Sequence, residues 1–134
     1  MNDRFKFRCF NRKTKKMYEV DSLHLDSENE WVWVHYYNPI YDKDLKIQIE
    51  HPKCILMQST GLKDKNGKLI YEGDILQQPQ FPHKVVCEWY KDGFWLNGFM
   101  NGAKRELRNM HNWYEVIGNI YENADLLEDT ECQK

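Results

Sequence analysis

The sequence predicts a mainly β protein, a β-rich α+β fold with an N-terminal β lobe, a C-terminal small SH3-like barrel and a short C-terminal helix. The first reason is that short segments alternate apolar and polar side chains, which is the period of a half-buried strand. The second is that Gly, Asn, Asp and Pro lie between these segments, and a helical pattern occurs only near the end. With 134 residues, 41% of them hydrophobic and 14% aromatic, the chain can bury one core or two small ones.

The first strands are predicted at the start of the chain. In "RFKFRCF" the apolar residues Phe5, Phe7 and Cys9 fall on one face of a strand, and basic residues occupy the other face. The turn "NRKTKK" leads into "MYEV", which predicts a hairpin over residues 4–20. Three further segments are dense in β-branched, aromatic or alternating apolar residues. These predicted strands cover residues 30–37, 44–50 and 54–59. All of them belong to an N-terminal lobe over residues 1–59.

A second lobe, the SH3-like barrel, is predicted over residues 60–122. "KDKNG" contains Asn66-Gly67, a strong hairpin signal because both central positions of a type I′ turn need positive φ. "YEGDIL" is expected where the chain bends at Gly73 and enters a strand. "HKVVCEWYKDGFWLNG" predicts a second hairpin, in which Cys87 is expected to be a small buried hydrophobe.

The last segment, residues 123–134, is predicted to be a short helix followed by an acidic tail. Asn123 is a residue type that caps helices, and Asp125 would lie near the positive end of the helix dipole.

Composition limits the partners and the compartment. The 19 basic and 21 acidic residues give a net charge of -2, so no overall field favours DNA or an anionic membrane. The four cysteines are widely spaced and form no CxxC pair, which predicts a reducing compartment. No apolar run reaches the length that spans a membrane. We therefore expect a cytoplasmic protein with no membrane partner.

Motifs for catalysis, metal binding and phosphate binding are absent from the sequence. The five histidines are scattered, with no HExxH, and neither GxxxxGK[ST] nor GxGxxG occurs. Glycines recur every six residues in "GLKDKNGKLIYEGDIL", but they lie among strand signals rather than before a helix. No catalytic residue, metal ligand or cofactor is predicted. An enzyme whose site is assembled from distant residues is the third alternative.

Nucleic-acid binding is the second alternative. A basic β surface with aromatic residues nearby is similar to the surfaces that bind single strands. The candidate contacts lie on the basic N-terminal strand and turn: Arg4, Lys6, Arg8, Lys13, Lys15 and Lys16. The overall charge balance opposes this interpretation, because binding to a phosphate backbone requires concentrated positive charge.

Protein–protein interaction is the first alternative. The segment "EWVWVHYYNPIY" is unusually aromatic, and Trp and Tyr are favoured at interfaces. The candidate interaction surface is Trp31, Trp33, Tyr36, Tyr37 and Tyr41. These residues could instead form the core of the first lobe, and both interpretations hold if opposite faces of one strand serve the two purposes.

The segment "ILMQSTGLKDKNGKLIYEGDIL" also closely resembles the signature of the YopX family of phage and prophage proteins. The start "FKFRCFNRKTKKMYEV" and the end "YEVIGNIYENADLLE" resemble the two ends of that family, although Cys9 stands where a small residue is more common. The resemblance rests on Leu56, Met57, Gln58, Thr60, Gly61, Leu62, Asp64, Asn66, Gly67, Tyr71, Glu72, Gly73 and Asp74. It implies a phage or prophage protein acting inside a bacterium, and it supplies no catalytic residues.

Taken together, the sequence predicts a non-catalytic binding or assembly module that self-associates or engages a host or phage protein. The signature is predicted to be a hairpin turn followed by a bend into the second lobe. Its residues Gly61, Asp64, Asn66, Gly67, Tyr71, Gly73 and Asp74 are therefore interpreted as a family marker rather than a binding site.

Overall fold

The computed structural model describes residues 5–26, 31–38, 43–49, 54–99 and 102–132, with side chains described at 5–22, 55–99 and 102–128. The mainly β class is confirmed, with two antiparallel sheets and 53% of residues in strands against 13% in helices. The chain divides into two compact units. One is Lys6–Gln58, and the other comprises Met1–Phe5 with Ser59–Lys134.

The first unit is an antiparallel sheet. Its strands are β1 (Phe7–Asn11), β2 (Lys16–Asp26), β3 (Trp31–Asn38), β4 (Lys43–Ile49) and β5 (Cys54–Lys63), the last of which continues into the second unit. Their order is β4-β3-β2-β1-β5. The hairpin predicted at the chain start is confirmed, since Cys9 pairs with Tyr18 across β1 and β2. Cys9 and its neighbour Phe10 are both buried, so both faces of β1 are covered at this point.

The second unit contains a five-stranded antiparallel sheet in the order β10-β9-β8-β7-β11, in which the last strand returns beside β7. The strands and helices of the second unit that follow β5 are β6 (Leu69–Tyr71), β7 (Asp74–Gln77), β8 (Lys84–Tyr90), β9 (Gly93–Asn97), β10 (Lys104–Glu106), α1 (Leu107–Met110), a 3-10 turn (His111–Trp113), β11 (Glu115–Asn119) and α2 (Asp125–Cys132). Strand β6 pairs with the end of β5, through Ser59 opposite Tyr71 and Lys63 opposite Leu69. Closure into an SH3-like barrel stays a prediction.

Alternation along the strands of this sheet determines its core. Val85 and Cys87 are fully buried, whereas Val86 and Glu88 between and after them are half-buried. The buried residues that pack into one cluster are Ile70, Leu76, Val85, Cys87, Leu96, Leu107 and Tyr114. The expectation that Cys87 is a buried hydrophobe is confirmed, and its sulfur forms no disulfide.

The turn between β5 and β6 differs from the predicted type. Gly67 has φ +85°, but Asn66 is not among the residues with positive φ, so the turn is not type I′. The Gly67 N–H instead donates to the Asp64 carbonyl oxygen at 3.0 Å. The side chain of Asp64 also accepts from the Asn66 and Lys68 N–H groups, and these local bonds override the two-residue preference.

The predicted C-terminal helix is present as α2, but its predicted cap is not. The Asn123 side-chain oxygen accepts from the Asn119 N–H at 3.0 Å, while its backbone oxygen accepts from Leu126 at 3.0 Å. Within the described part of the chain, neither helix has the length and apolar character needed to cross a membrane.

Candidate functional site

Asp64, in the middle of the signature, is a buried structural acceptor. It is 5% exposed, and its carboxylate accepts three backbone hydrogen bonds. Oδ1 accepts from Asn66 at 2.8 Å and from Lys68 at 2.9 Å, and Oδ2 accepts from Val116 at 2.9 Å. The carboxylate therefore closes its own turn and joins that turn to β11, which leaves it poorly placed for chemistry on a ligand.

The second half of the signature forms a joint between strands. The Tyr71 N–H donates to Asp74 Oδ2 at 2.8 Å, and Asp74 is almost fully buried. Gly73, with φ +88°, donates its N–H to the Cys87 oxygen at 2.8 Å and accepts from the Ile120 N–H at 2.9 Å. Because a side chain is strained at this φ, glycine is the residue that suits the joint.

The polar residues of the segment "GNIYEN" near the chain end also form hydrogen bonds with one another. Asn119 Oδ1 accepts from the N–H groups of Tyr121 at 3.0 Å and Glu122 at 2.9 Å. Its Nδ2 donates to Glu122 Oε1 at 3.0 Å. These polar residues orient the approach to α2, so they too belong to the scaffold.

The β8–β9 hairpin carries an aromatic cluster at its tip, defined by Trp89, Tyr90, Phe94 and Trp95. Trp89 is 54% exposed and meets Phe94 edge to face, with ring centroids 5.1 Å apart. Tyr90 is 38% exposed and meets Trp95 at 6.3 Å. Lys104 Nζ lies 4.1 Å from the Tyr90 ring centroid and 2.9 Å from Glu88 Oε1. The exposed Trp89 and Tyr90 rings are therefore held in place by the half-buried Phe94 and Trp95.

A separate groove of about 480 Å³ lies beside the 3-10 turn. Trp113, 63% exposed, and Phe81, 52% exposed, are its aromatic residues. The remaining lining residues are Lys65, Gln78, Pro79, Gln80 and Asn112. We call this the Phe81–Trp113 groove. A smaller cavity of about 240 Å³ lies beside the hairpin turn, and the residues that line it include Asp92, Phe94 and Leu107.

The turn between β1 and β2 presents a concentrated group of basic side chains. The buried Asn11 organises it, because Asn11 Oδ1 accepts from the N–H groups of Lys13 at 2.9 Å and Thr14 at 3.3 Å. The Asn11 backbone oxygen accepts from the Lys15 N–H at 2.8 Å. The exposed basic residues of this turn are Arg12, Lys13, Lys15 and Lys16. We call this group the basic turn.

The other predicted nucleic-acid contacts are distributed differently. Lys6 is exposed, whereas Arg8 is half-buried and lies opposite Glu19 in the register of β1 and β2. Arg4 lies outside the described residues. Basic character is therefore densest at the turn rather than along the strand.

The aromatic residues proposed from sequence fall where side chains are not described. Trp31, Trp33, Tyr36 and Tyr37 lie on β3, of which the structure describes the backbone, and Tyr41 is outside the described residues. Whether they form a core or an interface stays a prediction.

Sequence reasoning did not single out Trp89, Phe81 and Trp113 as surface residues. The sequence holds a signal for one of them. Phe81 lies between two prolines in "QPQFPH", a segment that favours an exposed loop.

Titratable side chains form no candidate metal centre in the described part of the chain: among those residues, no group of three His, Cys, Asp or Glu could hold a metal ion. Burial raises the pKa of Tyr114 above its ordinary value of 10.0, and the positive charge of Arg105 partly opposes this. Tyr114 packs in the core, so the raised pKa reflects packing.

The fold and these surfaces define a mainly β protein. The polar residues of its signature build the scaffold, and several of its described aromatic side chains are exposed to solvent. The chain belongs to the YopX family: the family model described as YopX protein matches residues 6–128, which confirms the resemblance found in the sequence. Among solved structures, it is similar to protein EF1440 from Enterococcus faecalis, with 27% identity and a TM-score of 0.61. That alignment covers 91% of this chain and 96% of the other. No curated protein matches the sequence.

Proposed function

We propose that this protein is a non-catalytic binding and assembly module that self-associates through the tip of the β8–β9 hairpin. The observation that carries the proposal is the exposure of Trp89, 54%, on a tip where Tyr90 is also exposed. Covering such rings removes a large apolar area from water, which favours association.

The charges at the tip suit a second copy of the same chain. Lys91 and Asp92 are adjacent, exposed and of opposite sign. In a two-fold contact the same surface of each copy is used, so that if Lys91 of one hairpin lies near Asp92 of the other, the reciprocal pair forms as well. Opposite charges paired in this way set the register of the contact.

The tip is rigid before association. Lys91 adopts φ +60° in the two-residue turn, and Tyr90 pairs with Gly93 across it. The edge-to-face ring pairs restrict the side chains on both faces of the hairpin. Association therefore orders few additional groups, which lowers its entropic cost.

Mass measured by light scattering after size exclusion, over a dilution series, tests this proposal. We expect the mean mass to fall towards that of the monomer on dilution. The reason is that the exposed rings alone would bury less surface than the roughly 1,200 Å² that a stable interface buries. Trp89→Ala should shift the midpoint to higher concentration by about tenfold or more. Trp113→Ala, an exposed tryptophan outside the hairpin, is the matched control.

A charge exchange tests the two-fold arrangement itself. Lys91→Asp should weaken association because it places like charges together, and Lys91→Asp combined with Asp92→Lys should restore it. A monomeric mass at every concentration would overturn self-association, and an unchanged midpoint in Trp89→Ala would overturn the hairpin contact.

The basic turn favours nucleic-acid binding as a second candidate function. Four exposed cations within residues 12–16 are held by the Asn11 bonds, and such a group can displace counterions from a phosphate backbone. The same light-scattering experiment, repeated with short mixed-sequence DNA and RNA at low salt, tests it. We expect added mass that disappears as salt rises and that is lost in Lys13→Glu with Lys15→Glu. Absence of added mass at low salt would overturn this candidate.

We also propose that the protein is the product of a phage or prophage gene and acts in the cytoplasm of a bacterium. Membership of the YopX family supports this placement, and so does the finding that the buried Cys9 and Cys87 form no disulfide. Expression in a bacterium, followed by fractionation and thiol labelling of the denatured protein, tests it. Recovery from the periplasm with oxidised cysteines would contradict it.

A further inference from the structure

We propose that the Phe81–Trp113 groove binds an extended, proline-rich segment of a partner protein that also carries acidic residues. This site shares no lining residue with the hairpin tip and is independent of self-association. Four properties of the groove favour this occupant: its aromatic residues, its polar lining, its charge and its preformed walls.

The aromatic residues suit pyrrolidine rings. Trp113 is the more exposed of the two, and Phe81 lines the same groove. Flat aromatic side chains that remain exposed beside a groove provide packing surfaces for the rigid rings of proline. A tryptophan also offers its indole N–H to a carbonyl oxygen of the ligand.

The polar lining suits a backbone whose carbonyl groups are free. Gln78, Gln80 and Asn112 line the groove, and an amide side chain can donate as well as accept hydrogen bonds. A polyproline II segment has no internal hydrogen bonds, so its carbonyl oxygens remain available. A helix or a paired strand has already used its carbonyl groups and is a poorer match.

The charge of the groove favours acidic residues in the ligand. Lys65 is the charged residue among the described lining, which contains no carboxylate. One exposed ion pair contributes little affinity, but it selects between acidic and basic partners.

One wall of the groove is fixed by the family signature. The Asp64 carboxylate closes the turn that carries Lys65, and the Lys65 N–H donates to the Tyr114 oxygen at 2.9 Å, directly after Trp113. The Asn66 side chain donates to Glu115 Oε2 at 3.1 Å, and His111 Nδ1 lies 2.6 Å from the Lys63 oxygen. The turn and the segment that carries Trp113 therefore hold each other in place.

The opposite wall is fixed by the loop after β7. The Phe81 N–H donates to the Gln78 oxygen at 3.1 Å, and Gln77 Nε2 donates to the Pro82 oxygen at 2.7 Å. Pro79 and Pro82 restrict the backbone further. A preformed groove and a pre-extended ligand lose little conformational freedom on binding.

Titration of the ¹⁵N-labelled full chain with a synthetic peptide of about ten residues, built from proline and glutamate, tests the site by the indole N–H signals. We expect the Trp113 signal to shift, with binding weakened about tenfold or more by Trp113→Ala. Two matched peptides, one with alanine for proline and one with lysine for glutamate, should bind more weakly. Trp89→Ala should bind the first peptide as the unmodified chain does, even where self-association is lost.

A charge reversal distinguishes specific recognition of the acidic peptide from nonspecific binding. Lys65→Glu should weaken binding of the acidic peptide and strengthen binding of the lysine peptide, with an unchanged unfolding midpoint. No shift of the Trp113 signal at about 1 mM peptide would overturn the proposal. Equal binding of the proline and alanine peptides, or unchanged affinity in Trp113→Ala, would also overturn it.

Discussion

The Asp64 carboxylate accepts a hydrogen bond from the Val116 N–H at 2.9 Å, across 52 positions of sequence. This bond joins the turn between β5 and β6 to the first residues of β11. The same carboxylate closes its own turn through Asn66 and Lys68. One buried side chain thus stabilises a local turn and a long-range strand position together.

Asp64→Ala is therefore expected to lower the free energy of unfolding by about 2–4 kcal/mol, because it leaves three backbone donors without their charged acceptor. Asp64→Asn keeps one acceptor oxygen and should cost less. Urea unfolding followed by tryptophan fluorescence measures both. Asp21→Ala, at an exposed carboxylate, should change stability little, and an equally small effect at Asp64 would contradict the assigned role.

Gly67 should tolerate asparagine better than valine. Its φ is +85°, yet a Cβ there would meet no atom within 4 Å, so strain and not crowding decides the outcome. Gly67→Val is expected to cost about 1–2 kcal/mol, whereas Gly67→Asn should cost clearly less, since Asn enters this region more readily. Thermal unfolding of the two variants measures the difference, and equal loss in both would point to a cause other than backbone strain.

Gly118→Ala should damage the network that leads to α2. A Cβ at this position would lie 2.6 Å from Asn123 Oδ1, the atom that accepts from the Asn119 N–H. We expect a cost of about 1–3 kcal/mol from loss of that bond. A double-mutant cycle with Asn123→Ala measures the coupling: the two costs should be less than additive, and simple additivity would exclude this mechanism.

Tyr114 should reduce stability at alkaline pH. Because burial raises its pKa above 10.0, the folded chain keeps this proton where the unfolded chain has begun to release it. The stabilisation is present below about pH 10 and declines as pH rises through the raised pKa. Tyr114→Phe should therefore flatten part of the fall in unfolding free energy as the pH rises above about 10, measured with urea. Tyr90→Phe, at a more exposed ring, is the control, and an identical slope in both would contradict the assignment.

Local pattern was sufficient for much of the fold. Alternation predicted the strands around Cys9 and Cys87, and the turn residues predicted the hairpins that follow them. The order of residues in the signature is also sufficient to identify the YopX family. These features depend on neighbours in sequence, which is the information that periodicity and turn chemistry contain.

The turn at Asn66 and the cap at Asn123 were predicted less well, for the same physical reason. In each case a local preference competed with a polar side chain whose partner is fixed by the folded chain: Asp64 for the turn, and the Asn119 N–H for Asn123. Turn and helix propensities depend on residues that are close in sequence, so they cannot account for such partners.

By itself, the sequence determined the class of the fold, the position of most strands and the family. Only the tertiary structure decided that Asp64 reaches Val116, that Trp113 faces a groove while Tyr114 enters the core, and that Trp89 stays exposed on a strand whose Val85 is buried. A period of two predicts which side chains share a face of a strand. It does not predict how much of that face is buried by other helices, strands or loops. That extent depends on contacts between residues distant in sequence, and those contacts form only when the sheets are assembled.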